Sequence, residues 1–298
     1  MAVGFFQMLV QQLLNGLSQG AIYALIALGY TMVYGIMRLI NFAHGDVYMV
    51  GAFCGFFLTA DLHWPFPAAL VASMLLTSLL GMIIERAAYR PLWNAPRLTM
   101  LITAIGVSLF LENLFIVLVS PDPRTYPAGV LPQHTFQFFG GVRFTLNDVL
   151  FWGVTAVLTF GLQFFVQNTR SGQAMRAVSF DSDAASLMGI DVGQTVSLTF
   201  AVGSFLAGAA GVLIGTVYQI DPLMGIMPGL KAFVAAVLGG IGIIPGAVVG
   251  GLILGEVESL VSWAGFSNYR DAVAFIILIL ILLVRPSGLF GSTAKEKV

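Results

Sequence analysis

Long stretches of this chain carry no charge, and the breaks between them are regular. No Asp, Glu, Lys, Arg or His occurs from Phe5 to Met37, from Trp64 to Ile84, from Val149 to Thr169 or from Val192 to Ile220. About 20 apolar residues let a helix cross the hydrocarbon layer of a bilayer, so a chain with several such runs must be polytopic. Lipid offers backbone amides no partners, and only helices or a closed barrel satisfy them internally. Barrel strands alternate apolar and polar residues, whereas these runs are apolar all round. The expected fold is all-α, a single domain over 1–298 built as a bundle of transmembrane helices.

About eight spans are expected, near 8–37, 42–60, 65–85, 98–119, 149–168, 196–218, 230–263 and 268–285. The first and seventh exceed one simple crossing, which calls for a surface helix, a tilted start or a break. Basic residues orient the bundle by their excess on the cytoplasmic side. Arg86, Arg90 and Arg97 follow the third span, Arg170 and Arg176 follow the fifth, and Arg285, Lys295 and Lys297 close the chain. With these groups inside, the loop 120–148 lies outside. It carries Pro121, Pro123, Pro127 and Pro132, then Phe136–Phe144 with Gly140-Gly141 as a hairpin turn. An inner C-terminus then requires an odd number of crossings after the sixth span. The run Leu238-Gly-Gly-Ile-Gly-Ile-Ile-Pro-Gly246 falls inside the seventh segment. A broken, re-entrant turn is therefore expected there, at Gly239, Gly240, Gly242 and Pro245. The side of the N-terminus stays open.

Composition removes several function classes. The net charge of −1 argues against a nucleic-acid partner. The single cysteine, Cys54, excludes an internal disulfide and a cysteine metal site. His44, His63 and His134 lie far apart, so no metal is expected. The glycines at 239–242 make no phosphate loop, because no strand precedes them and no Gly-Lys-Ser/Thr follows. No basic region precedes the first apolar run, so a cleaved signal peptide is not expected. Gly211 and Gly215, Gly246 and Gly250, and Gly251 and Gly255 are paired four apart, the spacing of close helix contacts.

The segment 168–194 is the longest inner one and reads as two short helices. Ser171 is placed to cap the first, Asp181 the second, and Asp183 favours the dipole of its first turn. Gly189 is placed to end the second helix in a left-handed conformation. Leu187 and Met188 project from this polar loop, which implies a cover. The run Asp183-Ala-Ala-Ser-Leu-Met-Gly189 resembles the EAA loop of ABC importer permeases, with Asp in place of Glu. There the loop is a coupling helix seated in a cleft of an ATP-binding subunit. The resemblance assigns that contact to Asp183, Ala184, Ala185, Leu187, Met188 and Gly189. An ordinary amphipathic loop on the membrane surface has the same spacing.

Longer motifs narrow the choice. Gly29-Tyr-Thr-Met-Val-Tyr-Gly-Ile-Met-Arg-Leu-Ile-Asn-Phe-Ala-His-Gly-Asp46 resembles the signature of branched-chain amino acid permeases of the LivH type. So do Lys231-Ala-Phe-Val-Ala-Ala-Val-Leu-Gly-Gly-Ile-Gly-Ile-Ile-Pro-Gly-Ala247 and the ending Arg285-Pro-Ser-Gly-Leu-Phe-Gly291. The resemblance implies a multi-pass protein of the bacterial cytoplasmic (inner) membrane, paired with a LivM-type second permease. Two cytoplasmic ATPases holding ATP and magnesium, and an external amino acid binding protein, complete such an importer. Urea and short-chain amide permeases share the broad group, so the substrate is less defined than the machine.

Asn41, His44 and Asp46 form the densest polar cluster near a membrane boundary. They suit an inner gate or a partner contact. A structural role suits them equally, with Asn41 or Asp46 capping the second span and His44 bonded to a backbone carbonyl. Glu112 lies within the fourth span, where a carboxylate is costly and suggests function. It either lines the path or bonds a neighbouring helix near the outer end. Lys231 either faces a substrate carboxylate or reaches for the interface, as lysine stems do. The leading reading is an ATP-driven importer permease. An ion-gradient carrier would use Glu112 or Asp46. An intramembrane protease would need Gly-x-Ser-x-Gly, and Gly106-Val-Ser108 is followed by Phe110. No enzymatic activity is expected.

Overall fold

The computed structural model describes residues 2–93, 95–132, 134–137 and 141–291. Lys295 and Lys297 lie outside the described residues, as does Gly140 of the expected hairpin turn.

Helix α1 (Ala2–Met37) is the centre of the bundle. Ala21 to Leu28 are almost wholly enclosed, the expected state of a helix that is apolar all round. Its 36 residues span about 54 Å, against about 30 Å of hydrocarbon. The excess is not taken up by a break: α1 is continuous and begins beyond the outer end of the bundle. There Gln11 donates to the Arg143 carbonyl, Ser18 bonds Asp148, and Ser259 donates to Gln12. The N-terminus therefore shares the end that carries the 120–148 loop.

At Arg38 the chain reverses with φ +49 and runs back into the bundle before α2 (His44–Ala60) starts. Helix α2 has only 17 residues, and the non-helical Leu39–Ala43 before it is buried in protein, where such backbone is tolerated. Helix α3 (Phe66–Ile84) passes into a π-turn, Glu85–Tyr89, and a 3₁₀-turn, Arg90–Leu92. Helix α4 (Arg97–Leu118) leads outward to a loop holding strands β1 (Thr135–Gln137) and β2 (Arg143–Thr145). These pair antiparallel with Phe136 opposite Phe144, the two rings 5.2 Å apart. Helix α5 (Leu146–Asn168) returns inward behind a Thr145–Asp148 capping box. On the inner surface lie α6 (Arg170–Phe180) and α7 (Ser182–Leu187), and α8 (Val192–Gly215) runs back outward between α1, α2 and α3.

The expected break resolves into an antiparallel hairpin of α9 (Ile226–Gly239) and α10 (Ile244–Trp263), followed by α11 (Arg270–Val284). Gly240 and Gly242 take φ +108 and +93, a region that a Cβ disfavours, and so make the turn. The turn sits at the inner end beside Gly35 and the C-terminal segment. There the Leu289 and Phe290 amides donate to the carbonyls of Leu238 and Gly239, satisfying the open end of α9. The hairpin returns outward and α11 crosses inward, which meets the parity that the basic C-terminus demands. The paired glycines set the close contacts: Gly246 and Gly250 face α9, while Gly251 and Gly255 face α1.

Seven helices among the described residues are long and apolar enough to cross a membrane, with α2 and α9 as shorter companions. On α4, Leu98, Ile102, Ile105 and Leu109 are exposed on one stripe, and Val157, Phe160 and Phe164 form another on α5.

Candidate functional site

Three places hold the residues singled out by the sequence. The first is at mid-bundle. Gly29 of α1 and the first turn of α2 pack so closely that a side chain at 29 would collide with the His44 ring. The His44 ring stacks edge-on to Tyr30 at 4.9 Å. Its Nε2 is buried without a partner. Neither Asn41 nor Asp46 caps α2, whose cap position is Ala43 without a side-chain bond. Asn41 instead accepts from the Tyr89 hydroxyl at 2.7 Å, because the reversal at Arg38 carries it back beneath the π-turn. Asp46 accepts from Ser108 of α4 at 2.5 Å, and Glu112 lies one turn further along the same helix, so two buried carboxylates flank one hydroxyl.

The second place is the inner surface. The cap of α6 is Thr169, accepting from the Gly172 amide, and not Ser171, since the helix starts two residues sooner. Asp181 does cap α7, accepting from the amides of Asp183 and Ala184, and Gly189 ends it at φ +85. Leu187 is 89% and Met188 83% exposed. Behind this loop, Ser197 of α8 donates to Glu85 at 2.5 Å, and Arg90 pairs with Glu85 at 3.3 Å. Glu85 and Tyr89 are wholly buried. Bonded contacts therefore run from the start of α8 through the π-turn to Asn41 and the segment before α2. Sequence reasoning passed over Glu85, Tyr89 and Ser197. The available signal was Glu85 itself, a carboxylate just past an uncharged span. Gly239, Gly240, Gly242 and Pro245 lie at this inner end, where Ile241 lines one small pocket with Ile40, the residue before Asn41.

The third place is the outer end. A cleft of about 630 Å³ opens there between α1, α5, α8 and α10. Its polar wall includes Gln12, Ser18, Gln19, Asp148, Ser262 and Arg270. Beside it, Lys231 bonds Glu258 at 2.9 Å and Asp271 at 2.6 Å. Lys231 does not reach for the interface: two carboxylates hold it inside the bundle. Glu258 also accepts from Gln19 and Tyr23 at 2.8 and 2.9 Å, both through Oε2, while its buried Oε1 faces only the Lys231 ammonium. No group of three or more potential metal ligands occurs among the described residues.

Comparison with known proteins places this geometry. A family model described as "Branched-chain amino acid transport system / permease component" matches residues 12–282. The chain is 44% identical over 307 residues to the high-affinity branched-chain amino acid transport system permease protein LivH of Escherichia coli (strain K12), covering 98% of this chain and 99% of that protein. It is 45% identical over 302 residues to the corresponding protein BraD of Pseudomonas aeruginosa, covering 97% and 98%. Among solved structures, "PsaBC from Streptococcus pneumoniae in complex with Fab" contains a chain of similar fold, with TM-score 0.50 and 13% identity over 93% of this chain and 92% of that one.

Proposed function

The chain belongs to the branched-chain amino acid transport permease family, and we propose that it carries leucine, isoleucine and valine inward as one permease subunit of an ATP-driven importer. It is a multi-pass transporter of the cytoplasmic membrane and not an enzyme. The observation that carries the substrate assignment is the end-to-end match to amino acid permeases of the same length. ATPase and binding-protein partners follow from the importer class. We assign it a LivM-type second permease and two ATPases, with ATP and magnesium held on the latter.

The apolar pair Leu187 and Met188, held outward by the Asp181 cap and the Gly189 turn, supports the α6–α7 loop as the ATPase contact. Asp183 and Ala184 are exposed beside them, whereas Ala185 turns inward and is buried, so it supports the short helix rather than the contact. A stroke on this loop is handed to α8, which it directly precedes. The Glu85–Ser197 and Tyr89–Asn41 bonds continue from α8 to the start of α2.

The Asp46–Ser108–Glu112 cluster favours one rival, a carrier driven by an ion gradient, since intramembrane carboxylates serve proton relays. Labelled leucine uptake decides between them, with ATP depleted in one sample and the proton gradient collapsed in another. Loss on ATP depletion alone is expected. Loss on collapse of the gradient alone overturns the importer reading.

A further inference from the structure

We propose that the outer cleft is a subsite for a zwitterionic amino acid with an apolar side chain, Arg270 facing its carboxylate and Asp148 its ammonium group. The assignment rests on the importer reading for its substrate and on the cleft itself for its chemistry.

The cleft has opposite charges on its walls and apolar groups at its base. Arg270 is only partly committed to the protein. Its contacts run through one nitrogen, Nη2, to Gln19 at 3.1 Å and to Glu258 at 3.6 Å. Glu258 is itself 0% exposed and already holds Lys231 at 2.9 Å. The Nε of Arg270 is buried and does not face the cleft, so the rest of the guanidinium fork is what a carboxylate there would meet. The Arg270 side chain remains 34% exposed. Asp148 accepts from Ser18 and Thr145 but has no cation among the described residues.

Ile22, Phe151, Met224 and Pro228 supply the apolar part. Pro228 comes from the first turn of α9 and lies close to where α2 begins, since Gly45 packs against Gly225 and Gly229. Beneath Ile22, residues Ala24 to Leu28 are sealed in the core. The cleft therefore opens outward and is closed inward, the disposition of a site that receives substrate before the bundle switches.

The test uses the importer assembled with cysteine-free partner subunits, with Cys54→Ala, which removes the single cysteine of this chain, and Ser262→Cys, which places one thiol in the cleft. An anionic, membrane-impermeant methanethiosulfonate reagent is applied with free leucine and no binding protein. The reagent is expected to modify the introduced thiol, and leucine at about ten times its half-protecting concentration to slow that reaction about tenfold. 3-Methylbutylamine, lacking the carboxylate, and 4-methylpentanoate, lacking the amine, are expected to give no protection at the same concentration. In an Arg270→Gln background the protection by leucine is lost, and Arg270→Lys restores part of it. An unreactive thiol, no protection by leucine, or equal protection by 4-methylpentanoate overturns the proposal, the last marking a plain anion or lipid-headgroup site. ATP-dependent uptake by the Cys54→Ala importer is measured on the same preparation. Its failure with protection intact refutes the importer reading alone; its success without protection refutes the subsite alone.

Discussion

Lys231 is the residue whose surroundings most change its reading. In sequence it is an isolated cation at the head of an apolar run; in the bundle it is clamped between Glu258 and Asp271. Removing Lys231 leaves buried Glu258 with Arg270 at 3.6 Å as its one remaining cation among the described residues, so the cost lies below the ~3–5 kcal/mol of a fully stranded charge. Lys231→Met is therefore expected to lower the yield of folded protein and its melting temperature in detergent. Lys231→Met with Glu258→Gln is expected to recover part of the loss, and a double-mutant cycle measures the coupling. Tyr89→Phe tests the inner contacts more gently. It deletes the hydroxyl that Asn41 accepts from and strands a buried amide oxygen, at about 1–3 kcal/mol. Folding survives such a loss, and leucine uptake per ATP hydrolysed is expected to fall. An unchanged ratio removes Tyr89 from the coupling route.

At the scale of elements, α7 and the α9–α10 hairpin carry the clearest local instructions. Asp181 caps, Gly189 stops, and two alanines keep the short helix slim, all legible because capping and left-handed termination are chemistry within a few residues. Asp181→Ala is expected to cost the helix about 1 kcal/mol and weaken coupling without loss of the fold. Gly189→Trp is expected to leave ATP hydrolysis running while leucine uptake collapses. Normal uptake in that variant refutes the loop as the ATPase contact. The hairpin was legible for a similar reason: glycines at φ +108 and +93 and a following proline break a helix wherever they occur. What closes the hairpin was not legible. The amides that satisfy the end of α9 come from Leu289 and Phe290, and no local rule links residues so far apart.

The whole molecule has a sidedness that the basic loops assign for every span but leave open for the N-terminus. Packing closes that gap, since Gln11, Gln12 and Ser18 of α1 bond the outer ends of β2, α10 and α5. In the Cys54→Ala background, Met8→Cys is expected to label from outside intact cells. Ser179→Cys is expected to label only after permeabilisation. Labelling of both from one side contradicts the topology. The bundle has a sealed centre of α1, α8 and α9 and a rim of α3, α4, α5 and α11 with exposed apolar stripes. Such stripes suit lipid or a second permease equally well.

The sequence by itself determined that the chain spans a membrane, which loops carry the basic residues, where the seventh segment breaks and how α7 is capped and stopped. These are properties of consecutive residues, because hydropathy, loop charge, caps and glycine turns act within one helix. Only the tertiary structure decided which polar groups meet, Asp46 with Ser108, Tyr89 with Asn41, and Lys231 with Glu258 and Asp271, and it alone set Arg270 and Asp148 in the lining of one outer cleft. In a soluble protein, a polar face tells which side of a helix looks outward. Here lipid and core are equally apolar, so the helices carry no such face, and the partners of their few polar residues emerge only when the bundle packs.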